Sequence, residues 1–371
     1  FWGGDVSELT ARAGVEDVST SPADAHSAPR ASQRWRGPVS GSGPFPSDRD
    51  RTRYAVVMAV LGVLALVIGG GLVAWDNPLP YGSPGFWRIA ELRATSLVVI
   101  VVVVICQGTA TVAFQSAANN RIITPSIMGF EALYVAISTG AVYFMGAAGI
   151  VALQGRPQFA LTVLLMVAFS MVLYGWLLTG RRGNMHVMLL VGIVLGGGLG
   201  SLSAFMQRLL TPSDFDVLTA RLFGSVANAD ASYLPLAIPL CAASAAALWW
   251  RSRRLNLVGL GRDVSTNLGL DHRREVLITL FLVSVLMATS TALVGPLTFL
   301  GFLVAMLSYQ LAGTWDHRYV LPMAGLLGFV VLGGAYVVLK HVFYAEGAVS
   351  ILIEVVGGSA FLFIILRKGT L

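Results

Sequence analysis

The sequence predicts an all-α polytopic membrane protein with ten transmembrane helices, and three observations support this fold class. Of its 371 residues, 56% are hydrophobic and only 12% are charged, whereas an ordinary soluble domain carries about 25% charged residues. Mean hydropathy is +0.74. Apolar stretches of about 18 residues or more recur from Tyr54 to the C-terminus, and each is long enough to cross a bilayer. A soluble globule of this size is excluded, because so few charged side chains could not cover its surface.

Ten hydrophobic segments account for the predicted spans. They lie at about 54–75, 94–117, 123–147, 157–179, 184–207, 231–250, 275–295, 297–312, 319–339 and 350–367. The eighth segment is short, and only Gly295-Pro296 separates it from the seventh. Within lipid a chain must satisfy every backbone polar group, so it crosses as helices or as a closed barrel. The segments lack the apolar–polar alternation of barrel strands, so we predict helices.

Composition divides the chain into two parts. Residues 1–52 are rich in Ser, Pro, Gly, Ala, Asp and Arg, whereas residues 53–371 carry the hydrophobic segments. A segment such as 1–52 buries too little apolar surface to offset its ordering entropy. We therefore expect a disordered cytoplasmic tail followed by one transmembrane domain.

The basic residues predict the orientation. With the N-terminus placed in the cytoplasm, twelve Lys and Arg fall in cytoplasmic connections and six in outer connections, before the basic tail is counted. Cytoplasmic loops carry the excess of positive charge. Both termini are therefore predicted to be cytoplasmic, and the net charge of +6 is typical of loop anchoring and not of nucleic-acid binding.

The stretch 255–274 is the most informative soluble segment. It is amphipathic and is interrupted by Gly261 and Gly269, which predicts two short helices joined by a turn. The turn would bring four apolar side chains to one surface: Leu257, Leu260, Val264 and Leu268. The pattern fits a docking surface for a cytoplasmic partner, and it also fits a helix that lies on lipid.

Ionisable residues within the predicted spans are few. Glu131 and Glu354 are the clearest, and a central carboxylate costs roughly 2.5–3.5 kcal/mol on insertion. They are either pathway or proton-relay groups, or hydrogen-bonded or solvated groups near helix ends. The sequence has no metal-ligand spacing, no catalytic triad and no P-loop motif. We expect neither a bound metal nor an enzyme activity, so any ATP-driven work requires a partner chain.

Over about residues 54–371 the chain resembles the FecCD-type permeases of bacterial ABC importers for iron-siderophores, haem and cobalamin. Four patches carry the resemblance: Arg93 with Gln115 and the segment 120–129, Leu255 to Gly269, Thr291 to Gly301, and Glu346 with Gly357-Gly358. Their order and spacing are together specific. The resemblance implies an ABC importer type II permease architecture.

The chain also departs from the family pattern. The family's Asn-Pro is Asn120-Arg121 here, its Pro-His-x-x-Arg is Met306-Leu-Ser-Tyr-Gln310, and its Glu-x-Pro-x-Gly is 346–350. These departures resemble a subgroup of siderophore permeases that pair with a different, related permease. The resemblance thus implies a heterodimer more than a homodimer.

The resemblance and the residue patterns together give three sets of candidate site residues. The surface that docks on the ATPase would consist of Leu257, Leu260, Gly261, Arg262, Asp263, Asn267, Leu268 and Gly269. Docking of the substrate-binding protein would use Arg93, which matches a rim arginine, and Lys340, which lies near another rim position. The translocation pathway would be lined by Gln115, Glu131 and a half-buried outer helix within residues 208–230 that carries Phe215, Leu222 and Phe223.

The predicted function is a permease subunit of an ATP-driven importer that moves a ferric siderophore across the bacterial cytoplasmic membrane. The implied partners are a second permease subunit, two cytoplasmic ATPase subunits and an extracytoplasmic binding protein. ATP and Mg would be bound by the ATPase, and no cofactor by this chain. The alternative is an ion-coupled secondary transporter that uses Glu131 or Glu354.

Overall fold

The computed structural model describes most of the chain after the tail. The described residues are 43–75, 80, 82–152, 155–179, 185–226, 229–343 and 349–367. Most of the predicted tail, residues 1–42, lies outside them, as does Glu346 of the fourth family patch.

The described residues form α-helices joined by short connections. The helices are α1 (Asp48–Ala74), α2 (Pro84–Ala117), α3 (Phe130–Ala152), α4 (Arg156–Thr179), α5 (Met185–Gln207), α6 (Pro212–Leu222), α7 (Leu234–Trp250), α8 (Ser252–Val258), α9 (Arg262–Asn267), α10 (His272–Val294), α11 (Leu300–Ala312), α12 (His317–His341) and α13 (Val349–Arg367). Short 3₁₀ turns at Ser126–Met128 and Ala231–Tyr233 precede α3 and α7.

Each of the ten predicted segments corresponds to one helix. Among the described residues, seven helices are long and apolar enough to cross a membrane, and α3, α11 and α13 contribute shorter apolar stretches. The all-helical membrane fold predicted from the sequence is therefore confirmed.

The largest differences from the predicted helix starts are at three helices, each for a local reason. Helix α1 begins six residues early, because the Ser47 side chain caps it and accepts a hydrogen bond from the Asp50 amide. Helix α2 begins ten residues early, at Pro84, behind the cap residue Ser83. Helix α3 begins only at Phe130, because the apolar residues before it form an irregular connection and a 3₁₀ turn.

Helix α2 lies at the centre of the bundle. It packs against α1, α7, α10, α11 and α12, and its residues from Val102 to Ala117 are nearly all buried. One polar contact in this core joins two helices: Gln107 of α2 donates to Ser290 of α10, with Nε2 and Oγ 3.2 Å apart. Small residues permit the close approach, since the Gly108 Cα faces the backbone of Ala324 in α12.

Two ends of the bundle can be distinguished. Helices α8 and α9, residues Ser252–Asn267, form an elbow that projects beyond α7 and α10, and we call this end the elbow end. Helix α12 starts there, since Asn256 of α8 donates to its cap residue Asp316. Helix α1 starts beside it, where the Tyr54 hydroxyl donates to the Tyr319 carbonyl at 3.1 Å. They finish together at the far end, where the Trp75 and His341 rings lie 6.0 Å apart.

Candidate functional site

Helix α9 of the elbow and the residues on either side of it expose apolar side chains. Leu260, Val264 and Leu268 are 54%, 48% and 59% exposed, while Leu257 is half-buried. Gly261 and Gly269 adopt positive φ values of 91° and 81°, a conformation that glycine adopts without strain, so the backbone turns sharply on either side of α9.

The charged predicted residues lie on the same surface. Arg262 opens α9, Asp263 follows it in the first turn, and Asn267 ends the helix; all three are exposed. An apolar ridge bordered by exposed polar groups is typical of a protein interaction surface. The structure thus brings the predicted ATPase-docking residues together.

A buried carboxylate ties the elbow to α10. Glu275, in the first turn of α10, pairs with Arg251 at the junction of α7 and α8 and with Arg254 of α8, whose Nη1 lies 2.8 Å from Oε1. The Glu275 side chain is only 7% exposed. Because a carboxylate left unpaired in this position would be costly, the two arginines hold the start of α8 against α10.

A second tie joins the elbow to α12 and α2. The Asn256 amide nitrogen donates to Asp316 at 3.0 Å, and its oxygen accepts from the backbone N–H of His317 at 3.0 Å and from the ring Nδ1. The other ring nitrogen of His317 lies 2.5 Å from the Ser116 hydroxyl oxygen, in the last turn of α2. This network lines a cavity of about 930 Å³ at the elbow end.

An arginine stack closes the loop after α2. The Arg121 guanidinium carbon lies 3.5 Å from the centre of the Trp315 ring and 4.9 Å from that of Tyr309, which is cation–π geometry. Partial burial lowers the pKa of Arg121 and the neighbouring Tyr309 opposes that shift, yet arginine keeps its charge at neutral pH. Arg121, a departure from the family pattern, is thus in contact with Tyr309, which lies within the second departing segment, 306–310.

A junction of helix ends lies inside the bundle, and we define it by Glu131, residues 223–226 and the connector 295–299. The Thr298 hydroxyl donates to Glu131 Oε2 at 2.6 Å, and the other Glu131 oxygen is buried without a hydrogen-bond partner. The preceding Gly129 lies against Gly196, in the middle of α5. Glu131 is thus deep in the bundle at the N-terminus of α3, where the helix dipole favours a negative charge.

Residues 223–226, which follow α6, pack against the connector 295–299. The Ser225 amide donates to the Val294 carbonyl at 3.0 Å, and the Ser350 amide at the start of α13 donates to the Gly224 carbonyl at 3.2 Å. A Cβ on Gly224 would lie 2.2 Å from the Pro296 oxygen, so no larger residue fits. Backbone contacts therefore hold the ends of α6, α10 and α13 together.

The predicted pathway residues fall in two places. Leu222 and Phe223 border the junction at the end of α6, next to Gly224, and Phe215 lies on the exposed side of the same helix. Gln115 is not at the junction: it is buried at the elbow end, where its Nε2 donates to the Arg121 carbonyl at 2.7 Å. Glu354 lies on the exposed side of α13.

Arg93 and Lys340 both lie at the far end. Arg93 donates to the Trp75 carbonyl at 2.5 Å, beyond the last turn of α1, so it also caps that helix. Lys340 lies in the last turn of α12. The predicted docking residues for the binding protein and for the ATPase are therefore at opposite ends.

Sequence reasoning missed several residues that hold the elbow. Neither Glu275 nor His317 was among the predicted site residues, yet both are buried. Asn256 lies in the family patch 255–269 but was not singled out there, and Trp315 lies in none of the four patches. A signal was available for Glu275, because Arg251 and Arg254 precede it at helical spacing in a short connection. Within the described ranges no group of three or more His, Cys, Asp or Glu could hold a metal ion.

The fold has a solved counterpart. A structure described as an inward-facing conformation of a metal-chelate type ABC transporter aligns with a TM-score of 0.73, covering 84% of this chain and 99% of that chain at 20% identity. This likeness concerns the fold. Together with the apolar helices, it defines a multi-pass membrane protein built like a transmembrane permease.

The chain belongs to the FecCD transport family, whose sequence model matches residues 57–367. The petrobactin import system permease protein FatC of Bacillus anthracis is 48% identical over 327 residues, which cover 88% of this chain and 92% of FatC. The petrobactin import system permease protein YclO of Bacillus subtilis (strain 168) is 34% identical over 324 residues, or 85% of this chain and 98% of YclO. The predicted membership of this family is confirmed.

Proposed function

We propose that the chain is the permease subunit of an ATP-driven importer that carries a ferric siderophore across the bacterial cytoplasmic membrane. Petrobactin, the cargo in the names of two relatives, is the first siderophore to test. The observation that carries the proposal is the elbow, which is anchored to the bundle through α8 and exposes Leu260, Val264 and Leu268 in and beside α9.

The elbow fits a cytoplasmic ATPase as its partner. A chain without a P-loop motif must receive the work of ATP hydrolysis from another protein. The α9 ridge combines apolar side chains with Arg262 and Asp263, which favours a specific protein partner over a lipid surface, where an exposed aspartate gains little.

The distribution of charge favours the elbow end as the cytoplasmic end. The connections there contain Arg121, Arg318 and the arginines of 251–274, whereas the far end contains fewer basic residues, among them Arg93 and Lys340. In this orientation both termini are cytoplasmic, and Arg93 and Lys340 face an extracytoplasmic binding protein. Their positive charge would steer an acidic surface of that partner.

The assembly would contain a second, related permease subunit beside this chain and two ATPase subunits that bind ATP and Mg. The two permeases would enclose a pathway that opens alternately to each side. In this chain the junction at Glu131, Leu222 and Phe223 would border that pathway. A bulky chelate needs a smooth passage more than a tight binding site, so we expect the contacts to be diffuse and mainly non-ionic.

Uptake into proteoliposomes tests the proposal. The chain is reconstituted with its partner permease, ATPase and binding protein, and accumulation of radioactive iron as ferric petrobactin is measured with ATP inside the vesicles. We expect uptake that requires both ATP and the binding protein. Uptake that persists with an ATPase unable to hydrolyse ATP, and that follows a proton gradient, would contradict the proposal in favour of the secondary transporter.

A further inference from the structure

Asn256 is a residue of α8 whose side-chain amide reaches from the elbow to the start of α12. Its amide makes three hydrogen bonds, one to Asp316 and two from His317. These residues are the cap and the first residue of α12. The end of α8 is therefore fixed to the start of a helix that runs through the whole bundle.

His317 extends the contact to a second core helix. It is 5% exposed, and its Nε2 lies 2.5 Å from the hydroxyl oxygen of Ser116, in the last turn of α2. The Ser116 hydroxyl in turn lies 3.4 Å from the Tyr309 hydroxyl of α11. Three side chains thus join the elbow to α12, α2 and α11 without a gap.

The chain of contacts ends at the loop after α2. The Arg121 guanidinium lies over both the Tyr309 and the Trp315 ring. The Arg121 carbonyl is held by Gln115 Nε2 at 2.7 Å. The loop 118–121 is therefore fastened through both the side chain and the backbone of Arg121.

From this continuity we infer that Asn256 is a positioning residue that transmits movement of the elbow, through His317 and Ser116, to the loop 118–121. The inference rests on the proposed function, because the movement it transmits is the one that the ATPase imposes on α9. Arg121 and its aromatic partners are the receiving end.

The geometry suits a short lever. Helix α8 has seven residues, or about 10 Å at 1.5 Å per residue, and such a piece moves as a unit. Glu275 fixes its start through Arg251 and Arg254, and Asn256 lies beyond that point. Apolar contacts can slide, whereas buried hydrogen bonds are directional and costly to break, so a push on α9 reaches α12 and α2 through Asn256.

The test measures the number of iron complexes transported per ATP hydrolysed in the reconstituted complex. Asn256→Leu keeps the side-chain size and removes all three hydrogen bonds. We expect ATP hydrolysis to remain near the wild-type rate while the transport-to-ATP ratio falls about fivefold or more, the size of an ordinary coupling between two sites. Equal loss of hydrolysis and transport would overturn the inference, because a purely structural defect behaves in that way.

Continuity in space does not by itself demonstrate coupling, so a double-variant cycle accompanies the test. His317→Phe should lower the ratio as Asn256→Leu does, and the double variant should fall no further than either single one. His317→Gln, which can still reach Ser116, should restore much of the ratio. Additive losses, or a glutamine variant no better than phenylalanine, would contradict transmission. The His317 variants also keep the test decisive if Asn256→Leu does not assemble.

Gln207 offers a matched control. Its Nε2 donates to the Thr139 hydroxyl at 3.1 Å, an inter-helix side-chain bond between α5 and α3 near the far end. Gln207→Leu should keep the wild-type ratio. Failure of the proposed function and failure of the inference can be told apart. A wild-type complex without ATP-dependent uptake overturns both. Coupled wild-type uptake with an unchanged transport-to-ATP ratio in Asn256→Leu overturns the inference alone.

Discussion

The elbow and the junction are held together in opposite ways. At the elbow, side chains make the ties: Glu275 with two arginines, and Asn256 with Asp316 and His317. At the junction the backbone makes most of them, through the amides of Ser225 and Ser350 and the absence of a side chain at Gly224. Side-chain ties can be adjusted by single substitutions, whereas a backbone junction tolerates few. The proposed function therefore places the action of a partner at the elbow, where the ties are adjustable.

The largest effect is expected from Glu275→Gln, which removes the ion pairs that tie the elbow to α10. Loss of the charge leaves Arg251 and Arg254 without their carboxylate, and breaking a buried pair costs about 3 kcal/mol. We expect uptake to fall at least about tenfold and less ATPase to co-purify. Glu91→Gln, at an exposed carboxylate of α2, is the control and should leave both unchanged. Wild-type uptake in the Glu275 variant would show that α8 needs no anchor on α10.

The second largest effect is expected from Gly129→Ala, two residues before Glu131 of the junction. Gly129 has a φ of 94°, and a Cβ there would lie 3.1 Å from the Gly196 Cα of α5. Left-handed backbone costs a residue with a Cβ roughly 1–2 kcal/mol, and the crowding adds to it. We expect a lower thermal unfolding temperature and several-fold slower uptake.

Gly197→Ala is the matched control for that substitution, because nothing lies within 4 Å of a Cβ at Gly197 in the same helix α5. It should unfold and transport like the wild type. If both alanine variants behave alike, the close approach of α3 and α5 does not matter for the junction.

Glu131→Gln tests whether Glu131 serves only as a hydrogen-bonding group of the junction or carries protons. The glutamine oxygen can still accept the Thr298 hydrogen bond, so only the difference between a charged and a neutral hydrogen bond is lost, about 1 kcal/mol. Uptake should fall less than about fivefold. Complete loss of uptake, measured with ATP present, would instead favour the ion-coupled alternative; Glu354→Gln provides the same test on α13.

The smallest effect is expected at the far end, outside both regions. Lys340→Glu reverses a charge in the last turn of α12, which should weaken binding of the substrate-binding protein several-fold at low salt and much less at high salt. Titration of the binding protein against the reconstituted complex at two ionic strengths measures this. A loss that is independent of salt would mean that Lys340 makes a structural contact instead.

Much of the bundle and the outline of the elbow follow from the sequence, whereas the junction does not. Apolar length predicts helices, and Gly261 and Gly269 around Leu260 and Leu268 predict a turned amphipathic segment. The start of α3 was misplaced because Ile122 and Ile123 are as apolar as a helix interior, and hydropathy does not distinguish a helix from an irregular segment inside a membrane protein. The tie at His317 depends on tertiary contacts that local sequence does not contain.

The most direct test of the account is affinity purification in mild detergent from cells that express the native operon, followed by mass spectrometry. The account predicts that a P-loop ATPase accompanies the wild-type chain and is lost when Arg262→Glu and Asp263→Arg reverse the charges of the exposed α9 surface. A chain that purifies alone under conditions that preserve membrane complexes, or an ATPase that stays bound after the reversal, would contradict it.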